Sequence, residues 1–291
     1  MGHAPSAGVV RSALFRAIAA ATFTFTVSTL ALAYTPTVSS SGVQVRWEGL
    51  NPKLNLVGNS INANGISADS VRAAVVRSIQ RWALASLDSV TFDYWQGDDD
   101  EVYVPNSEYN GTSSIYFASH SNGAAGAGID ASMIGLTQVW YNATTGQILE
   151  VDTVLNDISF QFTTNPSDTT GFGSESRSSG AQRKVYIENV MTHELGHSLG
   201  LSHSGSLQAT MLFMEAPEQA RLSCDDQAGI RALYPAESLA QRTGAITGKV
   251  LSPTGRAVFG AHVHAISRQR GTVLASSVTA SDGSYTIGSL E

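Results

Sequence analysis

The chain has 291 residues, 42% of them apolar, with 17 Lys and Arg against 24 Asp and Glu and a single cysteine. This composition excludes intrinsic disorder, and a net charge of −7 excludes the basic face that a nucleic-acid binder needs. One cysteine also excludes a disulfide framework and any cysteine-rich zinc module, so a bound metal must be held by histidines and carboxylates.

Arg11 and Arg16 precede an uncharged run, 17–33, that closes on Ala31-Leu32-Ala33, a small-x-small pattern. Residues 1–33 therefore read as a secretory leader removed before Tyr34. The alternative is an uncleaved membrane anchor, against which the run sets Thr22, Thr24, Thr26, Ser28 and Thr29. With the leader gone, no other segment is long and apolar enough to span a bilayer, and the protein is expected outside the cell.

Alternation around Val43, Val45 and Trp47 predicts a first strand within 44–60. Ser67 is placed as a helix N-cap with Asp69 in the first turn, and Val71, Val75, Ile79 and Trp82 form one buried stripe over 68–86. Strands follow at 90–94, 114–118 and 136–141, with the acidic run Asp98-Asp99-Asp100-Glu101 as an exposed loop. The turn Asn142-Ala143-Thr144-Thr145-Gly146 leads into a strand over 148–155 and so predicts a hairpin. Residues 163–182 read as a surface loop, and helices follow over 183–199 and from Ser223 to Tyr234-Pro235. Strands followed by helices around one mixed sheet make this an α+β fold.

Residues 237–244 read as a linker, after which the texture is all-β, with strands at 246–251, 261–266 and 273–278. Charge divides at the same place: residues 34–236 carry 10 basic and 21 acidic groups, residues 237–291 five and three. The expected organisation is a leader (1–33), a main domain (34–236), a linker (237–244) and a partial β module (245–291).

The chemistry concentrates in His193-Glu194-Leu195-Gly196-His197-Ser198-Leu199-Gly200-Leu201-Ser202-His203. On a helix His193 and His197 are one turn apart and project from one face toward one point. Gly200 can take the positive φ at which the helix stops and the chain turns back, bringing His203 in as a third ligand. Three neutral imidazoles leave a zinc ion its fourth position, the arrangement of a catalytic rather than a structural site. Glu194 is placed to serve as general base.

These eleven residues resemble the zinc signature of the metzincins, and Ser204 after the third histidine is what their matrixin branch usually carries. The resemblance runs from about Val43 to Pro235. It implies a metzincin-type catalytic domain, a mixed twisted sheet packed with three helices, and a zinc endopeptidase acting on proteins or peptides. It implies His193, His197 and His203 as ligands of one catalytic Zn²⁺ and Glu194 as the catalytic residue. Met211, in Ala209-Thr210-Met211, is the matching Met-turn methionine, with Met214 the runner-up. An extended substrate would add as a strand to a sheet edge, for which 133–141 is the candidate.

The chain departs from the family pattern in several places. Tyr34 to Val45 holds no cysteine that could cap the zinc, Leu212 replaces a frequent tyrosine, and residues 34–192 hold one histidine, His120, so a second zinc site is not expected. Ca²⁺ is a further candidate cofactor at Asp98–Glu101 or at Asp152 and Asp157.

Ile246-Thr247-Gly248-Lys249-Val250, Pro253-Thr254-Gly255 and Asp282-Gly283-Ser284-Tyr285 resemble the start of a carboxypeptidase-regulatory-like β-sandwich. About 47 residues make a marginal core, so the segment is expected either to pack on the catalytic domain or to continue in a longer chain. Cys224 is expected as a buried free thiol, and His262 with His264 as a solvent-facing pair. Two other functions stand beside the protease: a secreted binding or adhesion protein with a non-proteolytic zinc domain, and a zinc hydrolase acting on something other than protein. The intact Glu194 speaks against the first of these.

Overall fold

Strand alternation along 135–155 and the apolar stripe of one long helix set the frame of the fold. In the computed structural model, residues 9–12, 34–56, 66–96, 109–120, 129–170, 182–236, 243–271 and 273–290 are described. Among them one sheet has six strands in the order β1 (Val9–Ser12), β6 (Gly135–Asn142), β7 (Ile148–Leu155), β5 (Ser114–Phe117), β3 (Lys53–Leu56) and β4 (Asp93–Gln96). β6 and β7 form the expected antiparallel hairpin, while β7, β5, β3 and β4 are mutually parallel. The outer edge of β6 carries only the chain's own β1, added antiparallel with Val9 opposite Asn142 and Ser12 opposite Val139.

Helix α1 (Ala68–Ala85) has the expected boundaries and cap: Ser67 Oγ accepts the Ser70 amide, and Val71, Val75, Ile79 and Trp82 are buried. Helix α2 (Ile187–Ser198) lies between α1 and the sheet, and almost every side chain on it is buried. The two helices are tied by buried polar contacts. Trp82 Nε1–H donates to the Thr192 carbonyl at 2.8 Å, and Thr192 Oγ1–H reaches either the Glu188 carbonyl or Ser78 Oγ. Glu188, buried at the start of α2, accepts from the guanidinium groups of Arg77 and Arg81, each at 2.5 Å. Burial alone would push its carboxyl up, but the two arginines win and hold it below the ordinary value.

Helix α3 (Cys224–Leu233) starts with a reciprocal capping box between Ser223 and Asp226, as its Ser-x-x-Asp sequence allows. Two short pairs complete the frame: β2 (Thr35–Pro36) with β10 (Leu201–Ser202), antiparallel, and β8 (Phe160–Thr163) with β9 (Arg183–Tyr186), parallel.

Several expected boundaries are corrected. Among the described residues of 44–60 the strand is Lys53–Leu56, and residues 38–47 contribute only isolated bridges. Arg183–Tyr186 is strand rather than the first turn of α2, because Val185 is fully buried and its backbone pairs with Phe162. Tertiary pairing there overrides a helix-compatible sequence. The Asp98–Glu101 loop and most of residues 1–33 lie outside the described residues.

The C-terminal strands form two antiparallel pairs, β11 (Gly244–Lys249) with β14 (Ser284–Leu290), and β12 (His262–Ile266) with β13 (Val273–Val278). β13 and β14 pack on α3, and Ala275 and Ile287 are buried in the same core as α1 and α2. The segment thus packs on the preceding domain, as one of the two expectations has it. Cys224 is exposed rather than buried: it is the first residue of α3, and its two successors turn inward instead. His262 and His264 are half-buried, with the Nδ1 atom of each enclosed and without a hydrogen-bond partner, so the solvent-facing expectation is also corrected.

Candidate metal centre and catalytic residues

Helix α2 presents His193 and His197 one turn apart, then ends at Leu199. Gly200 follows at φ +94°, with its amide bonded to the His197 carbonyl and its α-carbon against the Val45 carbonyl, where a Cβ would collide. That left-handed residue reverses the chain and returns His203 to the other two.

The three histidines converge. His197 Nε2 lies 3.1 Å from His193 Nε2 and 3.2 Å from His203 Nε2. His193 Nδ1–H donates to the Thr210 carbonyl and His197 Nδ1–H to the Leu201 carbonyl, both at 2.8 Å. A carbonyl can only accept, so the ring proton of each sits on Nδ1 and the Nε2 lone pair points into the cluster. Facing lone pairs repel unless a cation lies between them, and ligands about 2.0–2.1 Å from a tetrahedral zinc lie roughly 3.3 Å apart. The donor set and its spacing therefore fit zinc. Among the described residues this is the one group of three or more His, Cys, Asp or Glu whose ligand atoms come together closely enough to hold a metal ion.

Burial keeps these imidazoles neutral. It pushes His193 down to about 4 and His203 to about 3, and lowers His197 well below the ordinary range. Ligands that bind protons only far below their ordinary value of about 6.5 compete weakly with a metal as the pH falls. Proton competition at the histidines should thus cost the folded protein little zinc affinity from pH 8 to pH 5. A peptide spanning 193–203 should lose affinity steeply below about 6.5. Competition titrations with a chromogenic chelator across that range measure both. Equal pH slopes for protein and peptide would contradict the folded-state shifts.

Glu194 is nearly fully buried beside the cluster. Its Oε2 accepts from Thr137 Oγ1 at 2.7 Å. Burial raises its carboxyl to about 7, against the pull of the Thr137 hydroxyl. A carboxyl near neutrality suits proton transfer in both directions at physiological pH.

Beneath the cluster a turn places Met211, fully buried, against α2, so that a Cβ on Gly196 would overlap Met211 Sδ. Met214 is partly exposed and takes no such place. Asp226 holds the turn: its carboxylate accepts the Thr210 amide at 2.8 Å, the Met211 amide at 3.1 Å and the Ser223 amide at 2.7 Å. Asp225 accepts from Ser204 Oγ, next to His203, from Ser276 Oγ of β13 and from the Tyr34 amide. Burial raises the Asp225 carboxyl to about 6.

Asp152 and Asp157 accept hydrogen bonds from the Ser114 and Ser119 amides, which ties β7 to β5 and the turn after it. The roles of Thr137, Asp225 and Asp226 are not apparent from their places in the sequence. The Asp225-Asp226 pair at a helix start is a visible signal, whereas nothing marks Thr137 until β6 is seen beside α2.

Comparison with known proteins places the chain. The peptidase family model Matrixin matches residues 57–235. A segment of 49 residues is 49% identical to stromelysin-1 of Equus caballus, covering 16% of this chain and 10% of that protein. A segment of 71 residues is 42% identical to interstitial collagenase of Oryctolagus cuniculus, covering 23% of this chain and 15% of that one. The chain thus spans only a small part of the length of these relatives. The family model itself covers more than half of the chain and takes in the whole histidine cluster, and on that ground this protein belongs to the matrixin family.

Proposed function

We propose that the chain is a secreted zinc endopeptidase. His193, His197 and His203 hold one catalytic Zn²⁺, Glu194 is the general base, and Met211 is the structural methionine beneath the metal. The observation that carries this reading is the convergence of three Nε2 atoms beside a buried carboxylate, two of the imidazoles having their tautomers set by carbonyls. When bound, zinc supplies Lewis acidity toward a carbonyl oxygen and acidifies water. Glu194 takes a proton from the attacking water and delivers it to the departing amine. The proteins or peptides cleaved bind as an added strand along β6, whose first residues lie against Glu194 and whose outer edge already takes β1 antiparallel.

Secretion rests on the leader pattern of 1–33. Among the described residues no helix is long and apolar enough to cross a membrane. The catalytic unit is residues 34–236, with 245–291 as an accessory β module anchored on α3. Incubating the protein with denatured casein should give cleavage that a zinc chelator abolishes and added zinc restores. Absence of chelator-sensitive cleavage would refute the protease and leave the binding protein and the zinc hydrolase acting on something other than protein.

A further inference from the structure

Glu194 projects from α2 toward the start of β6, and that strand shapes the space around it. Gly135 lies so close that a Cβ there would sit 2.7 Å from Glu194 Oε1 and 3.0 Å from Cδ and from Val190 Cγ1. Two residues on, Thr137 faces the same way and donates its hydroxyl proton to Glu194 Oε2 at 2.7 Å. Among the described residues, Thr137 is the one hydrogen-bond donor to this carboxylate. A hydroxyl has a single proton, and the carboxylate is the nearest and most strongly accepting of its neighbours; the Glu194 carbonyl lies farther away, at 3.2 Å. Thr153, directly opposite on β7 and fully buried, has its Oγ1 3.0 Å from Thr137 Oγ1 and can donate into it. The sheet therefore holds the Thr137 hydroxyl with its proton directed at α2.

Resting on the reading of Glu194 as general base, we propose that Thr137 is its positioning residue. The hydroxyl pins Oε2, so that Oε1, given room by the missing side chain of Gly135, is the oxygen that receives the proton of the attacking water. A carboxylate on three rotatable bonds, held by one strong charge-assisted hydrogen bond, keeps one lone pair on the reaction line. Released, it spends part of its time turned away. Loss of about an ångström of alignment at a reacting group costs on the order of 10²-fold in rate.

The test compares the full-length protein with Thr137→Val, which keeps the side-chain shape without the hydroxyl, and Thr137→Ser, which keeps the hydroxyl. On a peptide substrate, Thr137→Val should lower kcat by roughly 10- to 100-fold at unchanged KM. Zinc stoichiometry and melting temperature should be retained, and Thr137→Ser should recover most of kcat. The ¹³Cδ resonance of Glu194, followed with zinc and after chelation, should shift in Thr137→Val and return in Thr137→Ser. A Thr137→Val protein with kcat within about twofold of the parent, a change confined to KM, or loss of zinc and stability together with kcat would overturn the proposal. If the parent itself cleaves nothing, the protease reading falls, and the resonance still decides the pin: an unmoved Glu194 signal in Thr137→Val refutes it.

Discussion

Glu194→Gln should abolish proteolysis while leaving the metal in place. Glutamine is isosteric with glutamate and keeps an oxygen that can accept the Thr137 hydroxyl, so the packing around α2 survives. What it lacks is a basic oxygen able to take a proton, and general acid–base catalysis typically contributes about 10² to 10⁴ in rate. We expect kcat on denatured casein or a peptide to fall by about 10³ or more, with KM and zinc content unchanged. A Glu194→Gln protein that cleaves as fast as the parent would remove Glu194 from the mechanism. One that has lost its zinc would make the residue part of the metal site instead. Those outcomes are separable by measuring metal and turnover on the same sample.

Asp226→Ala should cause the largest loss of stability for a single change outside the cluster. The carboxylate is fully buried and receives the amides of Thr210, Met211 and Ser223 together with the Ser223 hydroxyl. Alanine leaves three amide protons without an acceptor where water does not readily reach, at about 1–3 kcal/mol each before relaxation. An overall cost of about 3–5 kcal/mol follows, or roughly 6–20 °C in melting temperature for a chain of this size. Because the Thr210 carbonyl orients His193, the loosened turn should also weaken zinc binding. Asp226→Asn, which retains one carbonyl oxygen, should fall between the two. A loss below about 1 kcal/mol would mean that the turn finds other acceptors. Calorimetry and a zinc titration read the two effects separately.

The ligand set was legible because it is local: within eleven residues, helical periodicity brings His193 and His197 to one face, and a glycine permits the reversal that returns His203. The long helix was legible to within a residue for the same reason, since Ser67 caps it and its apolar stripe repeats every three or four residues. The β6–β7 hairpin followed from strand alternation and the turn ending at Gly146.

Misreadings fell where the deciding partner is distant in the chain. Residues 183–186 adjoin a helical pattern, and the pairing of Val185 with Phe162 makes them strand. Cys224, expected to be buried, is exposed because at the start of α3 the inward face belongs to Asp225 and Asp226.

For this protein the sequence by itself determined the three clustered histidines, the adjacent acid and the family resemblance, because each depends on spacing within a few helical turns. Only the tertiary structure decided what orients them: the Thr210 and Leu201 carbonyls on the imidazoles, Asp226 under the turn, Thr137 on Glu194, and the packing of the C-terminal strands on α3. Thr137 and Glu194 are 57 residues apart, and hydrogen bonds of that kind are set by the packing of a sheet against a helix. No local pattern in the chain encodes which side chains that packing brings within reach.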